Sequence, residues 1–243
     1  MNIDVYSYTN TGSREINEDS YGVTNSGSRF AALVCDGLGG HQCGEVASQA
    51  AKKNILDSIA KLPEVSEANL QAIMKFVNDG ILQLQEANPA VKGMRTTAVG
   101  CVIEGNQMTP FNCGDSRFYY FSNGTITCMS KDHSVSQMSV SMGEMSFDAI
   151  RDDPDRNKLL KVLGEATDKT DIGTVYPPIN CKSGDAFLLC SDGFWEYVIE
   201  EEMEIDLSKS LSAKEWIEYM LVRLLLRYTG NNDNFTVIGG IIK

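Results

Sequence analysis

The sequence predicts an α+β fold built on antiparallel sheet. Two observations point to it: strand-like apolar runs follow one another through tight turns, and the helical segments are grouped apart from them. A third is local, because Asn123-Gly124 between "FYYF" and "TITCM" is a strong hairpin signal.

In chain order, "FAALVC" (30–35) reads as the first buried strand. "GEVASQAAKKNILDSIA" (44–60) and "SEANLQAIMKFVNDGILQLQEAN" (66–88) carry apolar residues at helical spacing, the second ended by Asn88-Pro89. A run of strands follows: "TTAVGCVIE" (96–104), "QMTPFNC" (107–113), "RFYYF" (117–121) and "TITCM" (125–129). Segment 139–170, with "DDPDRN" in its middle, is polar and irregular, a surface excursion with short helices. "AFLLC" (186–190) is another strand. "SAKEWIEYMLVRLLLRYTG" (212–230) is a third long helix, with Ser212 as N-cap and Gly230 as its stop. "FTVIGGII" (235–242) closes the chain as a strand. No repeat, low-complexity tract or long linker divides the 243 residues, so a single domain is expected.

Composition narrows the function. Hydrophobic content of 42% suits a sizeable core. No stretch approaches the ~18 apolar residues of a membrane helix, and no basic-then-apolar leader opens the chain. Cytoplasmic residence and no membrane partner are expected. Seven scattered cysteines without a CxxC pair read as reduced thiols, several of them in the core. A net charge of −12 argues against nucleic acid, which needs a basic face.

In "AALVCDGLGG" (31–40) a buried strand ends in Asp36, followed by three glycines within four residues. The construction recurs. "AFLLCSDGFW" ends in Asp192-Gly193, "NCGDSRFYY" sets Asp115 between two strands, "GNNDNFTVIGG" sets Asp233 before the last one, and "REINEDSYG" places Glu18-Asp19 at a strand start. Each alone fits turn or cap chemistry. Together they need a partner, because isolated buried carboxylates cost several kcal/mol. Nearby basic residues are few: Arg14, Arg117 and Lys131. Mg²⁺ or Mn²⁺, which take carboxylate and carbonyl oxygens, fit that need. Glycines after Asp36 would let a backbone carbonyl approach such a cation.

Rival motifs fail on the same letters. Gln42 breaks a dinucleotide fingerprint starting at Gly37, and neither a GxxxxGK[ST] loop nor a GxSxG elbow occurs. No cysteine has an arginine six positions on, which excludes the thiol-phosphatase signature. His41 and His133 are the only histidines and lie far apart, which excludes a multi-histidine zinc site.

In this order the motifs resemble the metal-dependent serine/threonine protein phosphatases of the PPM family (type 2C), in their compact bacterial form. "GSREINEDS", "AALVCDGLGGHQCGEVAS", "KGMRTTAVG", "NCGDSRFYYFSNG", "SKDHS", "KLLKVLGE", "FLLCSDGFWEYV" and "NNDNFTVI" carry the likeness across nearly the whole chain. The resemblance implies an α-β-β-α sandwich and a binuclear Mg²⁺/Mn²⁺ centre that hydrolyses phosphoserine and phosphothreonine in proteins with a metal-activated water. It implies that Asp36 bridges both metals and that Asp192 and Asp233 complete the first site. The Gly37 carbonyl and Glu18 would serve the second, and Asp19 would orient waters or ligands. Arg14 would hold the substrate phosphate, Asp115 with Asp192 a weaker third cation, and 139–170 would form a flap. Partners would be phosphorylated proteins and a serine/threonine kinase that shares them, and the chain is expected to be monomeric. Two departures stand out. Leu38 occupies the position of a histidine proposed as general acid in eukaryotic members. His41, in "GGH", is then the candidate for that role, with a structural histidine as the competing reading. Arg95 replaces a glycine of the family's GMGTT motif, as a substrate contact or a tolerated surface residue. A catalytically silent binding module would lack a ligand carboxylate, and none is missing.

Overall fold

A computed structural model describes residues 2–27, 29–39, 43–167 and 171–243. In chain order its elements are β1 (Ile3–Asn10), β2 (Ser20–Ser26), β3 (Arg29–Cys35), β4 (Gly37–Leu38), α1 (Cys43–Ile59), α2 (Glu67–Ala87), β5 (Arg95–Thr96), β6 (Ala98–Glu104), β7 (Gln107–Cys113), β8 (Arg117–Ser122), β9 (Thr125–Met129), α3 (Val135–Ser141), β10 (Thr174–Val175), β11 (Ile179–Asn180), β12 (Ala186–Cys190), α4 (Asp192–Trp195), α5 (Glu200–Ser208), α6 (Ala213–Leu226) and β13 (Phe235–Ile242).

Alternation along the strands builds the layers. One sheet runs β1-β13-β12-β8-β9 and the other β10-β7-β6-β3-β2, antiparallel throughout, with β11 also pairing β7. Phe30, Ala32 and Val34 of β3 meet Phe118, Tyr120, Phe187 and Leu189 of the facing sheet in a central core. The intervening residues Ala31, Leu33 and Cys35 turn the other way, onto α1 and α2. On the opposite flank, Tyr119, Phe121, Leu188 and Cys190 pack against Trp195, Trp216 and Met220 of the C-terminal helices. These three apolar layers make the expected α-β-β-α sandwich. The seven cysteines form no disulfide among the described residues, and six of them are buried. No described helix is long and apolar enough to cross a membrane.

The two long N-terminal helices lie within a residue or two of their expected bounds. Ser66 caps α2 by accepting from Asn69 N at 3.3 Å. Ser212 caps α6, as expected, accepting from Glu215 N at 3.2 Å. Its C-terminus needs correcting: α6 ends at Leu226, short of Gly230. The last turn tightens, with Arg227 N bonding Leu224 O and Tyr228 N bonding Leu225 O. Arg227 then leaves the helix path to reach Glu202 and the Tyr197 carbonyl. β1 and α5 have no counterpart in the sequence reading. Asp4, Ser7 and Thr9 interrupt the apolar residues of β1, which is half-buried along a sheet edge, so no apolar run announces it. Glu200, Glu201 and Glu202 open α5, where carboxylates favour the positive end of the helix dipole.

Candidate metal centre and active site

The site lies where both sheets end. β3 delivers Asp36 with its main chain already satisfied: its carbonyl accepts from Thr97 N and Thr96 Oγ1, both at 2.8 Å, and its N–H donates to Thr97 Oγ1 at 3.0 Å. The carboxylate is therefore left to face the basin. A Cβ on Gly37 would stand 2.3 Å from the Gly44 carbonyl oxygen and 2.6 Å from that of Glu18. Glycine is required here because the chain crosses the start of α1 backbone against backbone, a constraint beyond the access to a cation read from the sequence. Glu18 accepts from Gly44 N at 3.2 Å at that helix start.

The facing sheet contributes Asp192, the first residue of α4 after β12, and Asp233, just before β13. Asp115 sits in the crossover from β7 to β8, where the Trp195 indole donates to its carbonyl at 3.0 Å. Asn234 ties the loop of Arg14 and Glu18 to this edge. Its amide donates to the carbonyls of Thr11 (2.9 Å) and Ile16 (3.0 Å), and its Oδ1 accepts from Glu18 N (2.8 Å).

A basin of about 510 Å³ is lined by Arg14, Glu18, Asp36, Gly37, Asp115, Asp192 and Asp233, with Asn157 and Leu159 on its far wall. Asp19 lies beneath it, buried, with Oδ2 accepting from Ser191 Oγ at 2.8 Å and Oδ1 without a partner. Burial first, then mutual repulsion, raises the carboxyls. Asp36 and Asp192, within hydrogen-bonding reach of each other, are held well above the usual carboxylate range. Burial and the Asp132 charge push Asp115 up to about 7, and burial pushes Asp19 up to about 6. Arg14 is the one basin-lining cation among the described residues, paired with Asp233 at 2.7 Å. Arg117 is committed elsewhere: its buried guanidinium holds both oxygens of Asp132 (2.9 and 2.7 Å) and stacks 3.5 Å from the Trp195 ring centroid.

Convergent acidic oxygens, one of them orphaned beneath the basin, are a donor set for hard divalent cations. Mn²⁺ or Mg²⁺ fits the chemistry of these residues.

Seven of the expected positions thus share one basin, Arg14, Glu18, Asp36, Gly37, Asp115, Asp192 and Asp233, with Asp19 directly below. His41 lies outside the described residues. His133 accepts from Gly114 N through Nδ1 (3.1 Å), so Nε2 carries the proton toward Thr174 Oγ1 (2.9 Å). Burial and Lys161 push its pKa down to about 4, so it is a neutral structural hydrogen-bonder. Arg95 is exposed beside Leu38, its partner in a two-residue ladder. Asn234 and Ser191 are the positioning residues that motif reading passed over. Their only sequence signal is adjacency to Asp233 and Asp192.

The protein phosphatase 2C family model matches residues 8–229. The serine/threonine phosphatase stp of Listeria welshimeri is 32% identical over 231 residues, covering 93% of this chain and 90% of that protein. The crystal structure of the Mycobacterium tuberculosis serine/threonine phosphatase PstP/Ppp superposes with a TM-score of 0.84 at 28% identity, over 99% of both chains. The catalytic domain of PstP in complex with 2 manganese ions superposes with a TM-score of 0.83 at 27% identity, again over 99% of each. With its sandwich, its carboxylate basin and these relatives, the chain belongs to the protein phosphatase 2C family.

Proposed function

We propose that the chain hydrolyses phosphoserine and phosphothreonine monoesters in proteins, in the basin between the sheet ends. The observation that carries this reading is the convergence of Glu18, Asp36, Asp115, Asp192 and Asp233 on one cavity whose lining cation is Arg14. Asp36, Asp192 and Asp233, with the Gly37 carbonyl and Glu18, would hold two Mn²⁺ or Mg²⁺ ions, and Asp115 with Asp192 a weaker third. When bound, such ions supply Lewis acidity that brings the ionisation of water to near neutral pH.

The protein's own groups do the rest. Arg14 turns its planar fork from Asp233 to two phosphoryl oxygens and offsets the charge that grows on them. Asn234 fixes the loop on which Arg14 and Glu18 ride, which sets how the phosphate is presented. Asp19, held by Ser191, keeps an acceptor oxygen beneath the basin to orient water or a ligand carboxylate. The departing seryl or threonyl oxygen needs a proton, and His41 is the candidate donor. Asn157 and Leu159, which line the basin, support reading segment 139–170 as a flap. A single catalytic domain, a monomeric state, cytoplasmic residence and a kinase sharing the same phosphoproteins complete the reading.

The test is release of phosphate from a phosphothreonine peptide under Mn²⁺ and Mg²⁺ titration, with Asp192→Ala in parallel. Activity that needs the cation, stops with chelator and falls at least 100-fold in the variant is expected. A folded, cation-loaded protein that releases nothing would overturn the reading.

A further inference from the structure

Beside the basin lies a second depression of about 390 Å³, floored by the "SKDHS" segment and walled by α3. One extended stretch of chain separates the two. Leu160 N donates to the His133 carbonyl at 2.7 Å and Val135 N to the Lys158 carbonyl at 2.9 Å, so residues 158–160 run beside 133–135 like a strand. Successive side chains of an extended chain point to opposite sides. Leu159 accordingly faces the basin and Leu160 the groove.

Two properties define what the groove can hold. Met138 and Leu160 are exposed, 43% and 51%, and with Tyr176 they make an apolar wall around pliable sulfur. Lys131 and Lys161 stand on the rim, and among the described residues neither forms an ion pair; Lys161 Nζ reaches only the Asp171 carbonyl, at 3.5 Å. On a chain of net charge −12, two such lysines on one groove mark a local site for negative charge.

We infer that this groove docks the segment of a phosphoprotein substrate that flanks its phosphorylated residue, preferring an apolar side chain next to acidic ones. The inference rests on the phosphatase reading above and adds to it a substrate preference. An extended peptide whose phosphate occupies the basin needs only to cross the Leu159–Leu160 wall to place its neighbours here. Its apolar residue covers Met138, Leu160 and Tyr176, and its carboxylates meet Lys131 and Lys161.

The experiment compares kcat/KM for phosphothreonine peptides of one length whose flanks, on either side, carry Leu-Glu-Glu or Leu-Lys-Lys. Each is divided by kcat/KM for p-nitrophenyl phosphate, which is too small to reach the groove. The acidic-flanked peptide on one side is expected to be favoured about tenfold over its basic counterpart. In the double variant Lys131→Glu/Lys161→Glu that preference should vanish or reverse. The unphosphorylated Leu-Glu-Glu peptide should inhibit peptide turnover while sparing the small ester. Equal normalised rates for all flanks, or a preference that survives the double variant, would overturn the groove assignment and leave the phosphatase reading intact. Failure to hydrolyse even p-nitrophenyl phosphate with cation present would overturn both.

Discussion

Removing divalent cations should uncover a stability that falls as pH rises from 6.5 to 8. Asp115 is pushed up to about 7, and burial holds Asp36 and Asp192 well above the usual range. Unfolded, all three ionise near pH 4. Across the window the folded protein therefore keeps protons that the unfolded chain has released, and stability declines with rising pH. His133, pushed down to about 4, works in the opposite sense, but its contribution is nearly complete once an unfolded histidine has lost its proton near pH ~6.5. Asp19, at about 6, has largely released its proton by then. Buried thiols such as Cys35 add to the decline only above pH ~8.5, where an unfolded thiol ionises. A proton retained in full is worth about 1.4 kcal/mol per pH unit, hence about 2 kcal/mol over the window. Asp115, titrating inside it, contributes about half of that. Asp36 and Asp192, held up by burial and by repulsion from their neighbours, act in the same direction, so stability falls by at least about 1 kcal/mol. For a chain of this length that is a drop of at least roughly 2–4 °C in Tm. Thermal unfolding in EDTA at half-unit steps of pH measures it, and repetition with saturating Mg²⁺ should flatten or invert the slope, since cations bind the ionised carboxylates. A Tm in EDTA that holds constant or climbs across this window would refute the electrostatic account of the basin.

Other perturbations have equally definite outcomes. Asp132→Ala leaves the Arg117 guanidinium buried with Glu200, at 3.7 Å, as its remaining carboxylate, and should cost about 3–5 kcal/mol in denaturant unfolding; a loss below about 1 kcal/mol would mean that Glu200, Tyr119 and the aromatic stack hold the charge without it. Gly37→Ala places a methyl group 2.3 Å from the Gly44 carbonyl oxygen and should destabilise by about 1–3 kcal/mol with most phosphatase activity lost, whereas unchanged kinetics would show that the crossing can relax. Asn234→Ala removes three hydrogen bonds from the Arg14 loop; KM for a phosphopeptide should rise more than kcat falls, and a pure stability effect with unaltered KM would deny it a positioning role. Arg14→Lys keeps the charge and loses the fork, so kcat/KM should drop about 10–100-fold, corresponding to about 1.4–2.8 kcal/mol of lost transition-state stabilisation.

Much of this architecture is legible before any coordinates. Strands buried on both faces announce themselves as apolar runs, and "AFLLC" and "FTVIGGII" coincide with β12 and β13. What stays hidden has physical reasons. β1 is a half-exposed edge whose stability comes from pairing with β13 from Ile3↔Ile242 to Asn10↔Phe235, a partner more than 200 residues away. α6 stops early because Arg227 finds Glu202 on another helix, which no local pattern encodes. At the site, carboxylates at strand ends are visible as motifs, but the side chains that orient them are not. Asn234 and Ser191 look like turn residues until the loop of Arg14 and the carboxyl of Asp19 are brought to them.

The origin of the basin carboxylates in two different sheets has a mechanical consequence. Glu18 and Asp36 adjoin the sheet of β2 and β3, Asp192 and Asp233 the sheet of β12 and β13, and Asp115 the link between the two. A cation held among them is a reversible staple between the halves of the sandwich, fastened at one end like a clasp on a book. Sliding one sheet off the other would tear the basin apart, so every such opening must first release the ion. Cation concentration thereby becomes a dial on how often the inter-sheet core admits water. Amides of β6 and β8, whose side chains share that core, should slow their hydrogen exchange together as the dial is turned up.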